Sequence, residues 1–239
     1  MDTDGLGGRT AVVTGGTSGI GRATAELLAG AGARVFVADL EERDAPGEFV
    51  RTDITEDDAI SALADTVLAR GGAPAVLVNA AGWDRFEPFL DNSLEFIEQI
   101  VRINLLGAVK VTRAFLPSMV EAGAGKIVNV ASDAGRVGST GETIYAGAKG
   151  GIIAFTKSLA REMARHPVHV NCVCPGPTDT PLFASLPEKM RTALVRAIPL
   201  RRLARPEEVA QAILFFAGSR SDYITGQILS VSGGLTMAG

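Results

Sequence analysis

Residue types that usually mark disulfide or metal chemistry are scarce in this sequence of 239 residues, which has two cysteines and two histidines. Cys172 and Cys174 stand two positions apart in an apolar, Val-rich stretch. This favours two buried thiols in a reducing compartment over a disulfide or a metal pair. The spacings to His166 and His169 do not match those of the usual zinc sites. We therefore expect no metal.

An excess of basic residues and long apolar runs are also missing. The formal net charge is −4, so no basic surface is available to neutralise the phosphates of a nucleic acid or an anionic membrane. No apolar run approaches the roughly 18 residues that span a bilayer, and residues 1–9 are polar and Gly-rich rather than signal-like. The sequence predicts a cytoplasmic protein whose partner is a small molecule.

Short β-branched runs alternate with longer helical patterns. Nearly continuous apolar strands suit a parallel sheet that helices cover on both faces. The prediction is an α/β fold, Rossmann-like, with a doubly wound parallel sheet of about seven strands in a single domain over residues 1–239. Strands are expected at Thr10–Thr14, Arg34–Asp39, Phe49–Asp53, Ala75–Ala80, Lys126–Ala131, His169–Cys174 and Ile228–Val231. Helices are expected at Gly19–Ala31, Glu56–Arg70, Leu94–Glu121, Thr143–Arg165 and Pro206–Gly218.

Two connections depart from this alternation. Between Asp39 and Phe49 only about nine residues remain, too few for a crossover helix. Residues 175–200 hold five prolines and show little periodicity. We expect residues 177–200 to form a mobile substrate loop that contains a short helix.

A glycine-rich turn, residues 14–21, joins the first strand to the first helix. Glycines let the backbone approach a pyrophosphate, and the helix N-terminus offers free N–H groups. The spacing G-x-x-x-G-x-G departs from the general dinucleotide pattern, so a merely structural tight turn remains an alternative. Cofactor contacts are expected here from Gly15, Thr17, Ser18, Gly19 and Ile20.

Acidic residues end the next two strands. Asp39 stands where a carboxylate can bond both hydroxyls of an adenosine ribose and repel a 2′-phosphate. No Arg or Lys lies in the glycine turn or directly after Asp39, which favours NAD over NADP, although Asp39 can also merely cap the strand end. Asp53 and Ile54 end the third strand, where contact with adenine and helix capping are equally consistent.

Tyr145 and Lys149 are four residues apart, on one face of a predicted helix, and Ser132 ends the fifth strand. A free phenol has a pKa of about 10. An adjacent ammonium and the positive ring of a nicotinamide cofactor would favour the phenolate, which makes Tyr145 usable as an acid and as a base.

In its motifs the chain resembles the short-chain dehydrogenase/reductase family over nearly its whole length. The motifs are Thr14–Gly21, Asn79-Ala80-Ala81-Gly82, Asn104, Ser132, Tyr145-x-x-x-Lys149 and Pro175-Gly176-x-x-x-Thr180, in the family's order. The resemblance implies that Tyr145 transfers the proton and that Lys149 lowers its pKa and binds the nicotinamide ribose. It also implies that Ser132 holds the substrate oxygen, that Asn104 positions a water relay, and that the chain forms a homotetramer on its two long helices and C-terminal strand. Further contacts with NAD are expected from Asn79, Ala80, Gly82, Pro175, Gly176, Thr178 and Thr180.

Within the family, residues 81–86, 131–138, 174–180 and 230–237 are similar to members that oxidise an alcohol β to an acyl-CoA thioester. The implied substrate is of the 2-hydroxycyclohexanecarboxyl-CoA or 3-hydroxyacyl-CoA type. Side chains expected around an alicyclic ring are Trp83, Phe86, Val137 and Phe183, with Arg85 or Arg136 at the CoA phosphates. Simple packing and solvated arginines are the alternatives.

Three other functions stay open. A 3-oxoacyl-(acyl-carrier-protein) reductase fits the segment from Ser132 to Lys149, but it would normally prefer NADPH, against which Asp39 argues. A dihydrodiol dehydrogenase that acts on an alicyclic acid is the second. The third is a protein that binds a dinucleotide without catalysis, which predicts a broken catalytic set, whereas this set is complete.

Overall fold

Seven parallel strands form the centre of the molecule in a computed structural model that describes residues 4–44 and 46–237. Their order is β3-β2-β1-β4-β5-β6-β7, and every neighbouring pair is parallel. The predicted doubly wound sheet is thereby confirmed. The strands are β1 (Thr10–Thr14), β2 (Arg34–Asp39), β3 (Glu48–Arg51), β4 (Val76–Asn79), β5 (Gly125–Val130), β6 (Val168–Pro175) and β7 (Ile228–Val231).

Helices cover both faces of the sheet because its central strands are apolar on both sides. Side chains such as Val13 and Val35 pack with Ile213 on one face, and Val12 and Phe36 belong to the cluster on the other. The helices are α1 (Gly19–Gly30), α2 (Asp57–Gly71), α3 (Leu94–Val101), α4 (Ala108–Glu121), α5 (Ala134–Val137), α6 (Thr143–Met163), α7 (Pro181–Ala184), α8 (Glu188–Ala197) and α9 (Pro206–Ala217).

The single helix expected over residues 94–121 is wrong. A π-helix, Arg102–Gly107, separates α3 from α4. The side-chain amide of Asn104 donates to the carbonyl of Ile100 at 3.0 Å. That carbonyl is the one that the backbone N–H of residue 104 bonds in a regular α-helix, so the side chain competes with the helical ladder.

The strand expected to continue to Asp53 ends at Arg51 instead. The Asp53 carboxylate accepts hydrogen bonds from the backbone N–H and the hydroxyl of Thr55, at 2.9 and 2.7 Å, and this turn directs the chain towards α2. The described residues between β2 and β3 contain no helix, as the short spacing predicted.

The segment of residues 177–200 contains two helices, α7 and α8, rather than the one short helix expected. Thr180 caps α7 by accepting from the N–H of Phe183. Cys172 and Cys174 are buried free thiols on β6, as predicted. None of the helices in residues 4–44 and 46–237 is long and apolar enough to cross a membrane.

Candidate active site

Two adjoining pockets lie at the edge of the sheet where the parallel strands end. The glycine pocket, of about 810 Å³, is lined by the turn after β1 and by the ends of β2 and β3. The tyrosine pocket, of about 400 Å³, is lined by residues that follow β5 and β6 and by α6. Ala80 and Gly82 line both pockets. This is the edge at which open α/β sheets bind their ligands.

In the glycine pocket, the turn between β1 and α1 exposes backbone where a side chain would not fit. A Cβ on Gly15 would lie 2.7 Å from the Cα of Ala81, and one on Gly21 would lie 2.1 Å from the carbonyl oxygen of Gly15. Ser18, Gly19 and Ile20 line the pocket at the N-terminus of α1. Free N–H groups at that end favour an anion, so the turn fits the pyrophosphate of a dinucleotide.

Asp39 is fixed at the far end of the glycine pocket. Its Oδ2 accepts from the backbone N–H of Thr17 at 3.1 Å and from the Thr17 hydroxyl at 2.6 Å, and its Oδ1 accepts from the N–H of Leu40 at 2.8 Å. The Thr17 side chain is buried and turned towards Asp39, and the structure does not place it in the pocket lining. Thr17 therefore orients the carboxylate that a ribose would meet.

Asp53 and Ile54 also line the glycine pocket, close to a set of residues that sequence reasoning missed. The missed residues lie on α3 and the π-helix: Glu95, Glu98, Gln99, Arg102 and Ile103. Steps of three and four residues along a helix were the signal that could have revealed this face.

Ser132, Tyr145 and Lys149 meet in the tyrosine pocket. The Tyr145 phenol lies close enough to Ser132, which follows β5, for that hydroxyl to lower its pKa. Lys149 lies one turn further along α6, is buried, and donates to the carbonyl of Val130 at 2.9 Å. Its Nζ lies 5.6 Å from the centre of the Tyr145 ring. The structure thus brings together three residues that are separated in sequence.

Removal from water displaces the pKa values of both ionisable members of this group. It lowers the pKa of Lys149 to about 8. Burial, then the charges of Glu142 and Asp84, raise the pKa of the Tyr145 phenol, and the nearby Ser132 hydroxyl opposes them. The protein groups by themselves therefore do not lower the Tyr145 pKa, in contrast to the expectation for Lys149. Without a bound cofactor, Tyr145 is therefore a neutral phenol.

Two asparagines of the family motifs, Asn79 and Asn104, make hydrogen bonds within the protein. Asn104 accepts from the N–H of Trp83 at 3.1 Å and donates to its carbonyl at 2.7 Å. Asn79 is buried and donates to Thr112 and Asn129, each at 2.9 Å. Neither asparagine lines the two pockets. Asn104 thus anchors the backbone of Trp83, directly after Gly82, through two hydrogen bonds. Its role in a water relay stays a prediction.

Most of the side chains expected to line the tyrosine pocket do line it. Its lining includes the predicted residues Phe86, Val137, Pro175, Gly176, Thr178, Thr180 and Phe183, together with the unpredicted Leu182, Leu186, Leu194 and Leu235.

Three side chains expected at the substrate lie elsewhere. Trp83 lines the glycine pocket and packs edge-on against Phe96, with ring centres 6.0 Å apart. Arg85 lies over the same Phe96 ring and pairs with Glu87 at 3.1 Å. Arg136 donates to the hydroxyl of Ser230 at 2.9 Å. Aromatic stacking thus holds Trp83 outside the tyrosine pocket, and contact of Arg85 or Arg136 with the CoA phosphates stays a prediction.

By comparison with known proteins, the chain is an oxidoreductase that acts on CH–OH groups with a nicotinamide cofactor. A family profile described as enoyl-(acyl carrier protein) reductase matches residues 15–236. The chain belongs to the short-chain dehydrogenase/reductase family.

Three relatives are similar to nearly the whole chain. Cis-4-hydroxycyclohexanecarboxylate dehydrogenase of Sinomonas cyclohexanicum is 41% identical, covering 95% of this chain and 96% of that protein. The 3-oxoacyl-(acyl-carrier-protein) reductase FabG of Thermotoga maritima is 38% identical, covering 97% and 99%. The (3R)-3-hydroxyacyl-CoA dehydrogenase of Rattus norvegicus is 38% identical, covering 95% and 96%.

Two solved structures are similar to this fold. One is described as ribose-5-phosphate isomerase from Brucella melitensis 16M and has a TM-score of 0.91 at 39% identity, covering 98% of this chain and 94% of that one. The ligand-free aldohexose dehydrogenase of Thermoplasma acidophilum has a TM-score of 0.90 at 29% identity, covering 98% and 96%.

Proposed function

We propose that the protein is an NAD-dependent dehydrogenase of a secondary alcohol β to an acyl-CoA thioester. The substrate is of the 2-hydroxycyclohexanecarboxyl-CoA or 3-hydroxyacyl-CoA type. The observation that carries this proposal is the tyrosine pocket, in which Ser132 and Tyr145 face a largely apolar wall beside the glycine pocket. Such a wall suits an alicyclic ring or an acyl chain.

In the proposed reaction, the side chains of the tyrosine pocket handle the oxygen and its proton. Ser132 hydrogen-bonds the substrate oxygen and so orients the carbinol carbon. Tyr145 donates its proton during reduction; during oxidation it accepts the hydroxyl proton as a phenolate, which the positive nicotinamide ring would favour when bound. Lys149 contacts the nicotinamide ribose and adds positive charge near Tyr145. When bound, the nicotinamide exchanges a hydride with the carbinol carbon.

Asp39 supports NAD as the cofactor, because a fixed carboxylate suits two ribose hydroxyls and opposes a phosphate. We expect Asp39→Asn to lower kcat/KM for NAD about ten- to hundredfold, the loss of a hydrogen bond to a charged group, and to raise relative use of NADP. Glu42→Gln, an exposed neutralisation in the same connection, should change neither. The measurement is kcat/KM for both cofactors. An Asp39→Asn enzyme with the wild-type ratio would contradict the assignment.

The substrate proposal is tested by nicotinamide absorbance during turnover. The panel contains linear 3-hydroxyacyl-CoA esters and the 2-hydroxycyclohexanecarboxyl ester, each with NAD and with NADP. NAD-linked oxidation of these esters is the expected result. The FabG relative favours a second candidate, 3-oxoacyl-(acyl-carrier-protein) reductase. Dominant NADPH-linked reduction of linear 3-oxoacyl thioesters would establish that candidate instead.

We also propose that residues 177–200 form the substrate loop. Leu182 and Phe183 of α7, and Leu194 of α8, line the tyrosine pocket together with Thr180. A bound acyl group would pack against these apolar side chains and draw the two helices over it. Shielding the reacting atoms from water in this way strengthens the polar contacts made by Ser132 and Tyr145.

A further inference from the structure

Two carboxyl groups in the tyrosine pocket have no part in the proton transfer described above. Asp84 follows Gly82 by two residues, and Glu142 precedes Tyr145 by three. Both line the pocket, and Glu142 is close enough for its charge to act on Asp84. Asp84 is 9% exposed. A buried carboxyl group is costly, so an acid pair at this place calls for an explanation.

The two segments that carry this acid pair are locked side by side. The N–H of Glu87 donates to the carbonyl of Gly141 at 2.9 Å. Gly141 has a φ of +78°, and a Cβ there would lie 2.0 Å from the Phe86 ring. Ser139 donates to the Glu142 carboxylate. The pair is therefore a fixed part of the pocket wall.

The electrostatic character of the tyrosine pocket follows from its ionisable side chains. Among the described residues that line it, the charged ones are Asp84, Asp133, Glu142 and Lys149, and there is no arginine or histidine. Asp133 accepts a hydrogen bond from Ser230 at 2.6 Å, and Lys149 donates to the carbonyl of Val130 at 2.9 Å. Lys149 is therefore the single cation among these described lining residues, where it stands against three carboxyl groups.

We propose that Asp84 and Glu142 determine substrate specificity: they admit an acyl thioester, which is uncharged, and exclude the corresponding free carboxylate. The proposal rests on the proposed function and deepens it. Burial, followed by the charge of Glu142, raises the pKa of Asp84 to about 7, so Asp84 keeps its proton up to near neutrality. That proton is available to a thioester carbonyl, whereas a carboxylate in the same place meets like charge.

The relatives include enzymes named for both kinds of substrate, the thioester and the free acid. One relative is named for the free acid cis-4-hydroxycyclohexanecarboxylate and another for 3-hydroxyacyl-CoA, and their identities to this chain, 41% and 38%, are similar. Sequence similarity thus does not distinguish the two substrates, whereas the carboxyl groups of Asp84 and Glu142 do.

The test compares kcat/KM for 2-hydroxycyclohexanecarboxyl-CoA with that for free 2-hydroxycyclohexanecarboxylate. The enzymes are the full-length wild type, Asp84→Asn, Glu142→Gln and the double variant. We expect the wild type to prefer the ester and the double variant to lose at least about tenfold of that preference, mainly through a lower KM for the acid. Asp65→Asn, on the exposed face of α2, is the matched neutralisation and should retain the wild-type ratio.

The pH profile supplies a readout that a purely structural role would not move. The charges of Glu142 and Asp84 raise the Tyr145 pKa. Their removal should shift the alkaline ionisation in the profile of ester oxidation to lower pH, and Asp65→Asn should not shift it. NAD binding and thermal unfolding show whether each variant is folded. Glu142→Gln, at the more exposed member of the pair, retains the test if Asp84→Asn does not fold.

The outcomes separate this inference from the proposed function. Ester oxidation with an unchanged ester-to-acid ratio in folded variants would overturn the specificity role and leave the proposed function standing. A wild type that prefers the free acid would overturn the specificity role as well. Turnover of neither compound, nor of the linear 3-hydroxyacyl-CoA esters, would overturn both.

Discussion

Tyr145 and Tyr223, the two tyrosines of the chain, have opposite surroundings. Tyr145 lies with Ser132 in the lining of a pocket, whereas Tyr223 is fully exposed. Tyr145→Phe removes the hydroxyl that moves the proton, so we expect kcat/KM to fall about 10²- to 10⁴-fold while NAD binding persists. Absorbance assays and fluorescence titration measure the two quantities. Tyr223→Phe, the same chemical change at the surface, should alter neither, and undiminished turnover by Tyr145→Phe would disprove the assigned role.

Lys149 makes the free energy of unfolding depend on pH. Its pKa is lowered from 10.5 to about 8 in the folded protein, so between these values the unfolded chain binds a proton that the folded chain does not. Stability therefore rises with pH in that window. Relative to Lys149→Met, the wild type should gain stability between pH 8 and 10.5 in urea titrations. Lys157→Met, exposed on the same helix, should show no such gain, and a flat difference for Lys149→Met would refute the prediction.

Individual residues of the site were predictable where a local spacing carries the chemistry. Tyr145 and Lys149 lie one helical turn apart, so a helix places them side by side. Asp39 ends a parallel strand, and parallel strands end at the edge of the sheet where ligands bind. The contact between Asp84 and Glu142 was not predictable. It joins two loops that are distant in sequence, and no periodicity links such residues.

The glycine turn and α1 act as one element, and two of their glycines make a matched pair. A Cβ at Gly21 would collide with the carbonyl of Gly15, whereas one at Gly30 would meet no atom within 4 Å. Gly21→Ala should displace the turn, weaken NAD binding and lower the unfolding temperature. Gly30→Ala should leave NAD binding unchanged and stabilise the helix by up to about 1 kcal/mol. Equal NAD affinities in the two variants would contradict the pyrophosphate site.

Strands and helices that show an apolar pattern in the sequence were predicted. The π-helix and one of the two short helices of residues 177–200, which such a pattern does not mark, were not. The strands were found because each central strand is buried on both sides. The π-helix at Arg102–Gly107 was missed, since the apolar period continues through it while the Asn104 amide replaces a backbone donor at Ile100. The helices of residues 177–200 were underestimated because prolines begin or precede them.

For the whole molecule we propose a homotetramer built on α4, α6 and β7. Leu106, just before α4, and Leu229 of β7 are each 41% exposed, which suits surfaces that a second subunit covers. Sedimentation velocity should give four times the mass of the chain. Leu106→Asp should yield a smaller species, whereas Leu90→Asp, at a site that is 93% exposed and outside these elements, should not. A wild-type monomer at assay concentration would contradict the proposal.

The two outer strands of the sheet are chemically unlike. On β3, Glu48 forms ion pairs with Arg34 and Arg70, and a strand edge guarded by charge resists pairing with another chain. Along β7, Ile228–Val231, no charged side chain is present. A sheet with one receptive edge can be extended by one further sheet only. In the proposed tetramer, assembly along the strands would therefore close as a two-fold pair rather than grow into a filament, which would protect a concentrated solution of the enzyme from fibrous aggregation.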